Sequence, residues 1–148
     1  DKFEQELDKE AAVVKYMGEQ ERGDYQTVDT PTLKQWVDEG KEMLIIDTMP
    51  FEDSYAKDHI PGAVNFVFPI PEMTEWSTEE TSGSQEEFEK MLGPDKDKII
   101  VIYCGFVKCT RSHNGAMWAR KLGYTNVYRQ PGGIFAWKGA EYPSESAE

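Results

Sequence analysis

The strongest pattern in the chain is the apolar run Ile99 to Tyr103 (Ile-Ile-Val-Ile-Tyr), which predicts a central strand buried on both faces. Met43 to Asp47 reads as a second buried strand, and Tyr25 to Val28, Ala63 to Phe68 and Asn126 to Tyr128 as shorter ones. Helical signals fall between them. Asp29 or Thr30 caps a helix with Pro31 in its first turn, continuing through Leu33 and Val37 to Gly40. Gln85 to Leu92 stops at Gly93-Pro94, Ser112 caps a helix running to Leu122 and Gly123, and Gly132-Gly133 opens a last one through Trp137. Phe51 to Lys57 suits a short helix before the turn His59-Ile60-Pro61-Gly62, and Pro69 to Ser84 reads as a surface excursion anchored by Trp76. At the start, Lys2 to Tyr16 carries Phe3, Leu7, Ala11 and Val14 in a narrow apolar stripe expected to dock on the rest. Strands alternating with helices predict an α/β fold, a mostly parallel sheet with helices on both faces. Residues 1–24 form an N-terminal helical extension on a domain spanning 25–148, and ligands of such sheets bind beyond the carboxyl ends of the strands.

At 148 residues the chain is long enough for one core, and a net charge of −12 argues against nucleic acid or an anionic membrane as partner. No apolar run approaches the roughly 18 residues a membrane span needs. The charge is uneven: Lys98 to Ala140 holds seven Lys or Arg and no Asp or Glu. Either buried strands leave little room for acids there, or an anion site lies inside an acidic protein. The chain begins at Asp1 without an initiator Met, as after removal of a signal peptide or after trimming; export to a bacterial periplasm is the expectation, a cytoplasmic location the alternative.

The 2 cysteines, Cys104 and Cys109, are too few and too close in sequence for a disulfide scaffold. Cys104 stands at the carboxyl end of the central strand and before a helix N-terminus, among backbone N–H groups and the positive end of a helix dipole. With Lys108 and Arg111 in the same loop, these influences favour a thiolate, so Cys104 is the candidate nucleophile.

The motifs Leu44-Ile45-Ile46-Asp47, His59-Ile60-Pro61-Gly62-Ala63-Val64-Asn65, Ile102-Tyr103-Cys104, Arg111-Ser112, Leu122-Gly123-Tyr124 with Asn126-Val127-Tyr128, and Gly132-Gly133-Ile134-Phe135-Ala136-Trp137 follow in order. Together they resemble the single-domain rhodaneses, the rhodanese-like sulfurtransferases. The resemblance implies a rhodanese-like fold on a five-stranded sheet. It also implies that Cys104 accepts sulfane sulfur as a persulfide from a small anionic donor, thiosulfate or polysulfide, and passes it to cyanide, a thiol or a protein acceptor. The donor-binding bowl would be Gly105, Phe106, Val107, Lys108, Cys109, Thr110, Arg111 and Ser112, with Arg129 on the same rim. No metal or cofactor is needed for this chemistry.

The sequence departs from the family pattern in two places. The loop from Cys104 to Arg111-Ser112 is about two residues longer than the common form, and the strand that usually ends Asp-x-Arg ends Asp47-Thr48-Met49, leaving Asp47 as structural support facing Arg111 or Arg129. Cys109 is either a resolving thiol that attacks a Cys104 persulfide or a plain loop residue. Cys104, Cys109 and His113 as a soft metal site lack a fourth ligand. His59 suits a structural hydrogen bond, and His113 suits tuning of the anion site. Phe106, Phe135, Trp137 and Trp76 are candidates for the walls of the mouth. Two further functions compete with turnover: a persulfide carrier or sulfur-sensing module, and a cysteine phosphatase or arsenate reductase. The latter suffers from a Cys-x6-Arg spacing and the lack of a nearby Asp to act as general acid.

Overall fold

The computed structural model describes residues 1–148. Five strands, β1 (Gln26–Thr27), β2 (Met43–Asp47), β3 (Val64–Asn65), β4 (Ile99–Tyr103) and β5 (Val127–Arg129), form one sheet in the order β1-β5-β4-β2-β3. Every pairing is parallel, with Asp47 opposite Tyr103 and Ile102 opposite Arg129, so the ends of β2, β4 and β5 lie side by side. The sheet is therefore wholly parallel rather than mostly so.

Alternation along β4 divides the core in two. Ile100 and Ile102 face a layer built with Phe88 and Leu92 of α3 (Gln85–Leu92) and Ala116 and Ala119 of α4 (Arg111–Lys121). Val101 and Tyr103 face Leu33 of α2 (Thr30–Asp38) and Ile134 and Trp137 of α5 (Gly133–Gly139). These β4 side chains are all fully buried, as a strand central to a doubly covered sheet requires. α4 reaches β4 closely because Gly115 has no side chain: a Cβ there would lie 3.0 Å from Ile102.

Local rules account for the helix ends. Asp29 accepts from the Thr32 amide with Pro31 in the first turn, and Ser84 and Glu87 form a reciprocal capping box. The first helix, α1 (Lys2–Gly23), runs well past the expected Tyr16 and stops only where Asp24 adopts a left-handed conformation (φ 59°). The strand expected over Ala63 to Phe68 pairs only at Val64 and Asn65. Phe66 and Phe68 instead donate to Asp47 and Thr48 carbonyls where the sheet edge peels away. Phe51 to Tyr55 is a π-helical turn.

Two expectations about packing are corrected. The apolar stripe of α1 points away from the protein: Phe3, Leu7 and Val14 are exposed, and the helix lies across α4 through Tyr16, Glu19 and Gly23 instead. The Pro69 to Ser84 segment has more anchors than Trp76. Met73 is buried, and the Asn114 side chain donates to the Pro69 and Pro71 carbonyls at 2.8 and 2.9 Å while accepting from the Met73 amide at 2.8 Å. No helix is long and apolar enough to cross a membrane.

Candidate active site

β4 delivers Cys104 to the carboxyl edge of the sheet, and the chain then loops back to enter α4. Two neighbours fix the strand end. Thr48 donates from its amide and hydroxyl to the Tyr103 carbonyl at 3.0 and 2.9 Å, and the first turn of α5 takes the next two carbonyls, Ile134 to Cys104 at 3.0 Å and Phe135 to Gly105 at 2.9 Å. That approach depends on Gly133, whose φ is +62° and whose Cβ, if present, would lie 2.3 Å from the Cys104 carbonyl oxygen.

Within the loop a turn closes from the Cys109 amide to the Phe106 carbonyl at 3.0 Å, folding Cys109 back over Cys104. The Cys104 thiol donates to the Cys109 carbonyl at 3.3 Å and lies 3.1 Å from the Ser112 hydroxyl. Arg129 braces this arrangement. Its Nε donates to Ser112 Oγ at 2.7 Å and its Nη2 to the Cys109 carbonyl at 2.7 Å, while Nη1 meets Glu19 at 2.9 Å and the Tyr25 hydroxyl at 3.0 Å. Since Ser112 Oγ accepts from Arg129, its own proton is free to point at Cys104. Arg129 is completely buried, and its only carboxylate partner is Glu19 of α1, itself about 5% exposed and also paired with Lys15.

The thiolate is not favoured at Cys104, contrary to what its place before a helix suggested. Burial pushes the Cys104 thiol well above its ordinary range, because it is 1% exposed and its hydrogen bond to Cys109 also opposes ionisation. Cys109 moves down, against its own burial: the neighbouring Cys104 thiol, the Gly105 and Arg111 amides and the Arg111 cation favour its charged form. The site therefore opposes the charged form at Cys104 and favours it at Cys109.

Several expected roles are revised by geometry. Arg129 does not stand on an open rim; every N–H group named above is committed to protein. Ser112 is not the helix cap, since α4 begins at Arg111 after Thr110, and the Thr110 hydroxyl is taken by the Ile70 carbonyl. Lys108 pairs with Asp8 of α1, and Arg111 donates to the Phe68 carbonyl at 2.7 Å. The other cations of the Lys98 to Ala140 stretch do not converge on the loop: Arg120 pairs with Asp24 and Lys138 with Asp58. Asp47 faces neither Arg111 nor Arg129. One carboxylate oxygen accepts from the Met49 amide at 2.8 Å, the other has no partner, and burial pushes its pKa up to about 6. His113 turns away from the sulfurs toward Tyr25 and Glu72, each at 2.9 Å, and burial lowers its pKa. His59 stacks on the Tyr55 ring at 3.9 Å and hydrogen-bonds the Tyr55 carbonyl, a structural role. Phe106 and Phe135 do flank the loop, with exposed rings 5.3 Å apart, whereas Trp137 is core and Trp76 packs among Phe66, Phe68, Phe88 and Trp118. A groove of about 380 Å³ lined by Asp53, Ser54, Lys57, Asp58, Ile134, Phe135 and Lys138 touches this region through Ile134 and Phe135.

Sequence reasoning missed Glu19 and Tyr25. Their only signal is Arg129 itself: an arginine ending an interior strand needs an acid brought to it from elsewhere.

A wholly parallel α/β sheet with a thiol at the end of its central strand, enclosed by a loop entering a helix, defines the class. The chain matches the Rhodanese-like domain model over residues 29–140 and belongs to that family. Among solved structures it is similar to a thiosulfate sulfurtransferase of Pseudomonas aeruginosa (TM-score 0.65, 21% identity, 89% of this chain and 22% of that one covered). It is also similar to the polysulfide-sulfur transferase homodimer of Wolinella succinogenes (TM-score 0.62, 16% identity, 92% and 89% covered). A tRNA uridine(34) hydroxylase of Erwinia tasmaniensis is 49% identical over 45 residues, 30% of this chain, and the match spans 12% of that relative's length. At these identities the structural likenesses establish the fold.

Proposed function

We propose that this protein is a sulfurtransferase that moves sulfane sulfur from an anionic donor, thiosulfate or polysulfide, to a thiophilic acceptor through a Cys104 persulfide. The observation that carries the reading is the placement of Cys104: end of the central strand, start of the loop, hydrogen-bonded to Ser112 and to Cys109. Cys109, whose charged form the site favours, takes the Cys104 proton. The Cys104 thiolate, held by the Ser112 hydroxyl, then attacks the outer sulfur of thiosulfate, the S–S bond breaks, and sulfite leaves with the electron pair. An acceptor such as cyanide removes the terminal sulfur and returns the thiolate. Because Cys104 is 1% exposed, donor access requires the Phe106 to Cys109 turn to lift.

A carrier that unloads only onto a docked protein is the second reading, favoured by the apolar residues exposed on and beside the loop, Phe106 (43%), Val107 (42%) and Phe135 (63%). Initial rates with thiosulfate and cyanide, run beside a phosphate ester and arsenate, separate the readings. The parent is expected to form thiocyanate and Cys104→Ser none, with its fold retained. Turnover by Cys104→Ser, or hydrolysis of the phosphate ester, overturns the sulfurtransferase assignment; loading with sulfur without turnover indicates the carrier.

A further inference from the structure

Two thiols on one short loop, one of them hydrogen-bonded to the other residue's backbone carbonyl and both screened from solvent, are more than a single acceptor site requires. We propose that Cys109 resolves the Cys104 persulfide, so that the loop releases hydrosulfide and closes as a Cys104–Cys109 disulfide. This rests on the persulfide chemistry proposed above and adds an activity to it: reduction of sulfane sulfur to hydrosulfide at the expense of an external dithiol.

Three features of the site favour this step. The Cys104 sulfur lies 3.3 Å from the Cys109 carbonyl oxygen, and the turn closed by Phe106 holds Cys109 over it. Ser112 and Arg129 fix the two partners from beneath, Ser112 at the Cys104 sulfur and Arg129 at the Cys109 carbonyl, so attack within the loop needs no rearrangement of its base. Cys104 is 1% and Cys109 7% exposed, which places the internal thiol ahead of any acceptor that must first enter.

The atoms and electrons balance. After sulfite has left, Cys109 holds the proton it took from Cys104, and Cys104 carries a persulfide anion. The Cys109 sulfur attacks the inner sulfur of the persulfide and gives its proton to the departing outer sulfur. A Cys104–Cys109 bond forms, the persulfide S–S bond breaks, and hydrosulfide leaves with the electron pair. The sulfane sulfur is reduced and the two cysteines are oxidised. A dithiol then exchanges with the loop disulfide and restores both thiols, so the full cycle converts thiosulfate and a dithiol into sulfite, hydrogen sulfide and an oxidised dithiol.

The test is a single turnover without added thiol. The reduced full chain, stripped of reductant under anaerobic conditions, is mixed with thiosulfate and followed by intact mass and by hydrosulfide assay. The parent is expected to lose about 2 Da and release about one hydrosulfide per chain. Cys109→Ser and, as a second variant, Cys109→Ala are expected to gain about 32 Da, more slowly than the parent reacts because Cys109 no longer takes the Cys104 proton, and to release no hydrosulfide. A parent that keeps the added sulfur as long as the Cys109 variants do overturns the proposal, and so does a disulfide formed without hydrosulfide. If neither the parent nor the Cys109 variants take up sulfur, the persulfide chemistry itself fails, and this inference with it.

Discussion

Replacing Glu19 with Gln tests whether α1 is held by charge. The substitution preserves shape and removes the only carboxylate paired with the fully buried Arg129. Breaking a buried pair by removing one partner costs about 3 to 5 kcal/mol. The lower end applies here, because Arg129 keeps its bonds to Ser112, the Cys109 carbonyl and Tyr25, and lies 4.7 Å from the Tyr16 ring centroid. About 3 kcal/mol in a chain of this size corresponds to a fall in Tm of about 6 to 12 °C. The pH dependence gives a second handle. Burial alone would raise the Glu19 carboxyl, but hydrogen bonds from Lys15 and Arg129 outweigh it and hold the group below its ordinary value. A carboxyl depressed in the folded state stabilises above its unfolded pKa, about 4.3, and that contribution disappears as pH falls through the folded value. Thermal melts of parent and Glu19→Gln should therefore differ most near neutrality and converge in acid. Lys15→Ala, which removes a partner that is 44% exposed, should cost under about 1 kcal/mol. A Tm for Glu19→Gln within about 2 °C of the parent at pH 7, or a gap that persists unchanged to pH 3, would refute the reasoning.

Two other outcomes can be checked by the same melts. Burial raises Asp47 to about 6, so the folded state binds its proton more tightly than the unfolded chain does, and stability contributed by that proton is lost as pH rises from about 4 through 6. Asp47→Asn should flatten that segment of the Tm profile, and an unchanged slope would contradict the assignment. Gly133→Ala places a Cβ against the Cys104 carbonyl in a left-handed backbone and should cost more than about 2 kcal/mol while displacing the loop, read as lost sulfur transfer; a Tm within about 2 °C of the parent would count against the close approach.

The layered architecture was legible because it rests on local pattern: apolar runs at Met43–Asp47 and Ile99–Tyr103, and caps at Asp29 and Ser84, declare themselves within a few residues. Cys104 was legible for the same reason, as the residue following the clearest strand. The partners of the site were not. Which acid meets Arg129, which hydroxyl meets Cys104, and whether Lys108 is free or paired with Asp8 are settled by contacts between distant segments. The apolar stripe of α1 misled because a helix of that composition normally docks by its hydrophobic side, whereas here Tyr16, the buried Glu19 and ion pairs from Asp8 and Arg22 orient it. The ionisation of the two thiols was equally hidden, since proximity to a helix N-terminus favours a thiolate only where burial does not outweigh it.

The pair joining Glu19 to Arg129 spans 110 positions, which bears on the order in which the molecule assembles. α1 is made before every strand of the sheet, yet Glu19 is buried only once its counter-ion in β5 has followed. Until β5 is made, Glu19 has no guanidinium to meet; until the helix arrives, the guanidinium of Arg129 cannot leave water without a carboxylate. Closure of so long a loop is slow compared with local events. The two ends of the chain therefore meet late, and the loop carrying Cys104 and Cys109 acquires its floor in that closing step.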